Sequence, residues 1–184
     1  MEVKGEYRIA STREQVWAAL NDPEMLKACI PGCESLTKIS DTEFAASVMA
    51  SIGPVRARFN TNLKLENVRA PESYTLVGSS KGGVAGFGRG TADVTLSEID
   101  GGTLLNYVAE FKVGGKLAQV GSRLVLAATK KTADDFFGSF SKMLDPNAQR
   151  MDADEEAAGG VMRKTWPALA AAIFALLIWW FLLR

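Results

Sequence analysis

The chain has 184 residues, with 21 Lys and Arg against 21 Asp and Glu, no His, two Cys and 47% apolar residues. A chain of this length makes one domain whose core needs neither disulfides nor a structural metal. The balanced charge argues against a nucleic-acid-binding protein, which needs an excess of Lys and Arg to neutralise phosphates. The absence of His excludes Ser-His-Asp and Cys-His catalysis and any His-ligated metal.

The first thirty residues predict one strand and two short helices. Apolar and charged residues alternate from Val3 to Ile9, which is typical of a half-buried strand. Ser11 and Glu14 have the spacing of a capping box, with Ser11 as the N-cap of the first helix. A second helix is predicted at residues 24–28. Because no apolar stretch precedes these elements, we expect no secretory signal and a cytoplasmic start.

A series of strands follows, and then the apolar period changes to that of a helix. The strands are predicted at residues 44–50, 55–65, 73–78, 88–99 and 103–113, with Asp-Gly-Gly at 100–102 as a hairpin signal. Apolar residues at helical spacing from 117 to 143 predict one long helix. This order predicts an α+β domain in which a curved antiparallel sheet holds the long helix. Such a sheet and a helix differ in curvature, so we expect a cavity between them.

Strand parity and helical spacing indicate which side chains face the space between the sheet and the helix. The apolar pattern alone favours a solid core over a cavity at these positions. In a cavity, Tyr107 and Thr61 would supply the few polar contacts that orient a ligand. The inward-facing set is Phe59, Thr61, Leu63, Leu105, Tyr107, Ala109, Phe111, Leu117, Val120, Gly121 and Leu124.

The C-terminal part of the sequence predicts a tether and a membrane anchor. Residues 145–165 contain an acidic run and a Gly pair, which is typical of a flexible, solvated linker. Residues 165–183 carry no charge, and about 1.5 Å of rise per residue makes them roughly 28 Å long, close to the thickness of a bilayer core. Trp residues stand near both ends, and Arg163 and Lys164 precede the segment. We therefore expect a transmembrane helix at 166–184 with the domain on the cytoplasmic face; a buried helix and an interfacial helix are the alternatives.

Charge counting suggests that the folded domain itself has little attraction for membranes. Residues 1–144 are close to neutral, and electrostatic attraction to anionic lipids needs an excess of Lys and Arg. We therefore expect the C-terminal anchor to determine the location.

Two further motifs leave alternatives open. The Gly-rich residues 82–90 lack the spacing of a phosphate-binding loop, so they are interpreted as a bulged strand entry or as a mobile gate over the cavity. Cys29 and Cys33 are too few for a metal site and are expected to stay reduced in the cytoplasm, although a redox pair is an alternative.

Charged residues on the long helix also have two interpretations. Lys116 and Arg123 are either solvated or contact a partner protein or the polar head of a ligand. The pair Lys130-Lys131 precedes Asp134-Asp135 by four residues, which predicts ion pairs on the helix surface.

Three segments resemble one known family. They are CIPGCESL at 29–36, GFGRGTA at 86–92 and VGGKLAQVGSR at 113–123. Together, in this order, they resemble the CoxG-like family of carbon monoxide dehydrogenase subunits. That family belongs to the START/Bet v1-like (SRPBCC, polyketide cyclase-like) superfamily, which has a helix-grip fold. The resemblance covers residues 1–144 and leaves 145–165 and 166–184 outside it.

The resemblance implies a non-enzymatic protein that binds an apolar small molecule. The inward-facing set would line the binding cavity, and a quinone or a lipid would be held without a covalent bond. The implied partner is a molybdenum hydroxylase of the CO dehydrogenase type, at a membrane reached through residues 166–183. A docking protein without ligand transfer is one alternative. A cyclase-like enzyme is another, against which the absence of His counts.

Overall fold

The structure, a computed structural model, describes residues 1–145, and these form one compact unit. The predicted tether and anchor at 146–184 lie outside the described residues. The strands are β1 (Glu2–Ile9), β2 (Cys33–Lys38), β3 (Glu43–Ile52), β4 (Val55–Arg69), β5 (Ser73–Lys81), β6 (Phe87–Ile99) and β7 (Gly102–Gly114). The helices are α1 (Arg13–Leu20), α2 (Pro23–Cys29), α3 (Lys116–Gln119) and α4 (Ser122–Leu144).

All seven strands belong to one antiparallel sheet in the order β1-β7-β6-β5-β4-β3-β2. Each predicted strand is confirmed, and the hairpin at the Asp-Gly-Gly turn pairs Ile99 with Gly102. The strand β2 was not predicted. Its sequence, CESLTK, buries only Leu36 and runs along a sheet edge, so it carries no alternating apolar pattern.

The capping box of α1 lies one residue later than the sequence indicated. Thr12 is the N-cap, and its backbone N–H donates to Gln15 Oε1 at 3.1 Å while Gln15 N–H donates to Thr12 Oγ1 at 3.3 Å. Ser11 is instead buried, where its hydroxyl donates to the Leu144 carbonyl and its own carbonyl accepts from Thr103. The prediction that Ser11 caps the helix was therefore wrong, because tertiary contacts occupy this side chain.

The single long helix predicted for residues 117–143 is two helices. The break falls at Val120 and Gly121, and Gly121 has a φ of +95°, in the left-handed region that favours glycine. The second helix, α4, runs without interruption to Leu144 and buries Val125 and Phe140 completely. The chain therefore changes direction at a point where sequence spacing alone assumed a straight helix.

Two apolar clusters hold the domain together. The larger one joins α1, α2 and the C-terminal half of α4 to the sheet and includes Ile9, Val16 and Phe140. The smaller one lies at the other end and contains Phe59, Ala85, Leu117 and Val125. The candidate site is lined mainly by the larger cluster, and Ala50 and Ile52 border it on the side of the smaller one.

Candidate ligand-binding cavity

A cavity of about 770 Å³ lies between the inner face of the sheet and α4. Strands β3 to β7, the loop after α2 and the middle of α4 line it, largely with apolar side chains such as Phe44, Leu65, Leu105, Ala128 and Phe136. This volume lies within the range of small-molecule sites, which are about 300–1,000 Å³ and mostly apolar. The cavity can therefore hold an apolar ligand of small-molecule size.

A second depression lies mainly on the outer face of the sheet. Its volume is about 1,020 Å³, and charged side chains such as Lys64, Arg89, Glu110 and Lys112 contribute to its lining. A depression with one wall of solvated charges does not remove an apolar ligand from water. The inner cavity is therefore the better candidate for a lipophilic ligand.

Tyr74 supplies an unused hydrogen-bonding group to the inner cavity. Its side chain lines the cavity and is only 8% exposed, with the ring packed edge-on against Trp17 at 5.6 Å between centroids. Within residues 1–145 the Tyr74 hydroxyl has no hydrogen-bond partner. Burial raises its pKa, so the hydroxyl stays protonated and can donate to a ligand oxygen. Tyr74 is absent from the predicted set, although it lies in a predicted strand beside Leu76.

Tyr7 and Tyr107 form a second polar group near the cavity wall. The Tyr7 hydroxyl donates to Asp134 Oδ1 at 2.7 Å, and the Tyr7 ring stacks on Phe137 with centroids 4.2 Å apart. Tyr107 lines the cavity and lies parallel to Tyr7. Burial is the main cause that raises the pKa of both hydroxyls, and the hydrogen bond to Asp134 raises the pKa of Tyr7 further. Both groups are therefore neutral donors at physiological pH.

The three tyrosines of the chain predict a loss of stability in alkali. The pKa of each is raised in the folded state, whereas an unfolded tyrosine ionises near pH 10. Above that pH the unfolded state binds fewer protons than the folded state, so the free energy of unfolding should fall as the pH rises. Tyrosinate absorbance followed during an alkaline titration should rise together with the loss of circular dichroism. Tyrosinate formation in a fully folded domain just above pH 10 would contradict this expectation.

The predicted site residues fall into two groups. Leu63, Leu105 and Tyr107 line the cavity, and Ala109 packs against the larger of the two apolar clusters. The other predicted residues lie towards the end of the domain where α3 begins. Phe59 and Leu117 are buried there, and Phe111 packs against them. The Thr61 hydroxyl is hydrogen-bonded to the Ser80 hydroxyl at 2.7 Å. Val120 and Leu124 lie beside the β3–β4 turn, and Gly121 is exposed.

The break before α4 explains this division. In the structure, the helical residues that line the cavity come one or more turns later, from Ala128 to Phe137. Sequence spacing identified the apolar stripe but not which turns of it lie over the open part of the sheet. The ligand contacts of the predicted set stay a prediction.

The remaining candidate groups show ordinary structural roles. Cys29 is buried with its Sγ 3.4 Å from Met143 Sδ, Cys33 is half-buried, and burial raises the pKa of both thiols. The predicted helix-surface pairing is confirmed for Lys131 and Asp135. Among residues 1–145 there is no group of potential metal ligands.

Comparison with known proteins identifies the family. The family model for CoxG, a subunit of carbon monoxide dehydrogenase, matches residues 5–145. The chain belongs to this family. The resemblance found in the sequence is thereby confirmed over the region that it covered. No curated protein matches the chain.

Solved structures confirm the fold of the domain. A conserved protein from Geobacillus kaustophilus is 30% identical, with a TM-score of 0.73 over 78% of this chain and 95% of that chain. A START superfamily protein from Mycobacterium smegmatis is 11% identical, with a TM-score of 0.61 over 78% of this chain and 96% of that chain. The Zhui aromatase/cyclase from Streptomyces sp. R1128 is also 11% identical, with a TM-score of 0.59 over 82% of this chain and 94% of that chain.

The CoxG domain thus has a START-like fold, a curved antiparallel sheet with a C-terminal helix, as predicted. The predicted transmembrane helix falls on residues that the structure does not describe. No helix within residues 1–145 is both long and apolar enough to cross a bilayer.

Proposed function

We propose that residues 1–145 bind a lipophilic small molecule in the inner cavity and carry it for a redox enzyme at the membrane. The observation that supports this most is the largely apolar cavity of about 770 Å³ with the unpartnered Tyr74 hydroxyl in its wall. Enclosing an apolar molecule between a sheet and a helix removes it from water, which is the favourable step in such binding. A carrier needs a cavity that shields its ligand from water, and it needs no reactive side chain.

The chemistry of the cavity favours an apolar molecule with at least one oxygen acceptor. The Tyr74 hydroxyl would donate to that oxygen, while aliphatic and aromatic side chains would cover the rest of the ligand. A quinone, with carbonyl oxygens on an apolar ring, has this composition. A lipid with an ester or carboxyl oxygen has it as well. We favour a quinone, because the partner that we propose below is a redox enzyme and a quinone can accept electrons from such an enzyme.

The proposed partner is a molybdenum hydroxylase of the CO dehydrogenase type. This part of the proposal is supported by the family, whose name refers to carbon monoxide dehydrogenase. We propose that residues 166–183 anchor the protein to the membrane, with the domain on the cytoplasmic face. A tether shortens the search between bilayer, carrier and enzyme by raising their effective concentration.

We further propose that the protein is not an enzyme. The ionisable groups that line the cavity are Tyr74, Tyr107, and the ion-paired Lys131 and Asp135. The tyrosines stay protonated because burial raises their pKa values, and the ion pair lies on the exposed side of α4. These groups can orient a ligand, and none is placed as a general base.

The proposal is tested by native mass spectrometry of residues 1–145 purified gently from the source organism, followed by organic extraction. We expect a stoichiometric lipophilic adduct, identified in the extract as a quinone. A lipid adduct would support the proposed carrier function but would show that the ligand is a lipid and not a quinone. An unliganded mass, with no thermal stabilisation by added quinones or fatty acids, would overturn ligand binding and favour a protein that only docks the enzyme at the membrane.

A further inference from the structure

Three loops meet at one end of the sheet, and we call them the tip. They are the β3–β4 turn at residues 52–55, the loop between β5 and β6 at residues 82–86, and the break between α3 and α4 at residues 120–121 with the first turn of α4. The antiparallel pairing places the ends of β3, β5 and β7 and the starts of β4 and β6 at the same end of the sheet. A Cβ atom on Gly53 would lie 3.2 Å from Val120 Cγ1, so the turn and the helix break are in contact.

The tip exposes large apolar side chains. Val84 is 85% exposed, Leu124 is 52% exposed and Phe87, the first residue of β6, is 46% exposed. Isolated exposed apolar residues are ordinary on protein surfaces, but a group of them at the end of a domain is typical of an interaction surface.

The backbone beneath these side chains is tightly packed. A Cβ atom on Gly86 would lie 1.9 Å from the Gly114 carbonyl oxygen, and Gly86 has a φ of +112°, so only glycine fits there. The neighbouring Ala85 is buried at 4% exposure beside Leu117. Val84 is thus exposed on an ordered loop that is fixed on both sides, and the Phe87 ring lies over Gly114 of β7, where a Cβ atom would come within 2.3 Å of Phe87 Cε1.

The charged side chains around the tip are all basic over long stretches of chain. Residues 51–60, 77–92 and 111–133 contain no Asp or Glu. Seven exposed basic residues in these stretches, taken within the described part of the chain, form no ion pair. They are Arg56, Lys81, Arg89, Lys112, Lys116, Arg123 and Lys130, the last of which lies further along α4, away from the tip.

The acidic groups near this end offset only some of the basic ones. Glu34 is bound by Arg58 through two hydrogen bonds of 2.6 and 3.0 Å. Glu2 and Glu110 line the outer depression together with Arg89 and Lys112, so the uncompensated charges at the tip are those of Arg56, Lys81, Lys116 and Arg123. The near-neutral total for the domain therefore conceals a separation of charge, which the expectation of little electrostatic attraction, drawn from net charge alone, does not take into account.

We propose that the tip docks the domain on a bilayer surface rich in anionic lipids. Arg56, Lys81, Lys116 and Arg123 would contact the headgroups, and Val84 and Leu124, with Phe87 at their edge, would enter the interface between headgroups and acyl chains. Exposed apolar side chains at the centre of a basic surface match a membrane better than a polar polyanion. This proposal concerns the surface of the domain and does not depend on what the cavity binds.

Docking in this orientation brings the cavity close to the bilayer. Ile52 lines the cavity, and its neighbour Gly53 belongs to the tip. Ala128, also in the cavity wall, follows the exposed Leu124 by about one turn of α4. The cavity wall thus begins within one residue of the tip along β3 and within about one turn of it along α4.

The experiment is cosedimentation of residues 1–145 with vesicles of phosphatidylcholine containing phosphatidylglycerol, compared with vesicles of phosphatidylcholine alone. Residues 1–145 are a suitable sample, because they form one compact unit and because 78% of this chain covers 95% of the crystallised Geobacillus kaustophilus chain. We expect binding to the anionic vesicles, weaker binding to the neutral ones, and weakening by salt.

Paired variants make the test specific. Lys116→Gln with Arg123→Gln should weaken binding to anionic vesicles about twenty-five-fold, since each basic residue near such a surface contributes about fivefold. Val84→Ser should also weaken it. The matched control is Arg8→Gln with Arg69→Gln, which removes two exposed charges at the opposite end of the sheet and should leave binding unchanged.

The outcomes separate this proposal from ligand binding. Wild-type binding by the tip variants, an equal loss in the control, or no binding of the domain to anionic vesicles would each overturn membrane docking by the tip. The same variants should keep their lipophilic adduct in native mass spectrometry. A wild-type domain that binds anionic vesicles but carries no adduct would count against the carrier and leave the tip proposal standing.

Discussion

Replacing Ala128 by Phe is expected to weaken the binding of a lipophilic ligand by roughly ten- to a hundredfold. Ala128 lies on α4 and lines the cavity. A phenyl ring there would overlap with a ligand that fills the space between α4 and the sheet. Overpacking of this kind costs about 1–3 kcal/mol, and about 1.4 kcal/mol corresponds to a tenfold change in affinity. Titration with a soluble quinone, together with adduct occupancy in native mass spectrometry, measures the effect.

The neighbouring residue provides the matched control. Ala127 is exposed on the same helix, so Ala127→Phe has the same cost in helix propensity but does not enter the cavity. We expect Ala127→Phe to bind ligand as the wild type does, with both variants similar in melting temperature. Equal binding by the two variants would show that the ligand does not occupy the cavity beneath α4.

The order of strands and helices was predictable because the sheet buries only one face. Strict alternation in β4, with Phe59 and Leu65 buried and their neighbours exposed, is a local signal that survives folding. The hairpin turn before Gly102 was also predictable, because its signal lies in a few consecutive residues. The edge strand β2 lacked such a signal because only Leu36 faces the core. An edge strand with a single inward apolar side chain therefore gives only a weak signal in the sequence.

The cavity was less predictable because it depends on how separate elements meet. Parity correctly placed Leu63, Leu105 and Tyr107 on the inner face. The turns of α4 that cover them depend on the break at Gly121, whose φ of +95° is a property of the folded backbone. Tyr74 was overlooked because an unpartnered hydroxyl can be recognised only when its surroundings are known.

Net charge is an example of a sequence quantity that misleads when it is averaged. The whole chain has a formal charge of zero. The fold nevertheless collects Arg56, Lys81, Lys116 and Arg123 at one end of the sheet, where three acid-free stretches of chain meet. An electrostatic prediction from sequence would have needed the topology that brings those stretches together.

Replacing Tyr74 by Phe tests whether the ligand carries an oxygen that the cavity recognises. The change removes one hydroxyl that has no partner within residues 1–145, so the fold should be unaffected. A hydrogen bond to a bound carbonyl contributes about 1 kcal/mol net, which predicts a loss of quinone affinity of roughly fivefold. A hydrocarbon of similar size should bind the variant and the wild type equally. Competition between the two ligands, followed by fluorescence of the nearby Trp17, gives both affinities.

Tyr7→Phe separates this effect from the general loss of a phenol. The Tyr7 hydroxyl already donates to Asp134 at 2.7 Å, so its removal breaks a contact within the protein and takes nothing from the ligand. We expect Tyr7→Phe to lower the melting temperature and leave quinone affinity unchanged, the opposite of Tyr74→Phe. A ligand whose affinity is insensitive to Tyr74 but lowered by Ala128→Phe would be held by apolar contact alone. The cavity would then select its ligand by shape.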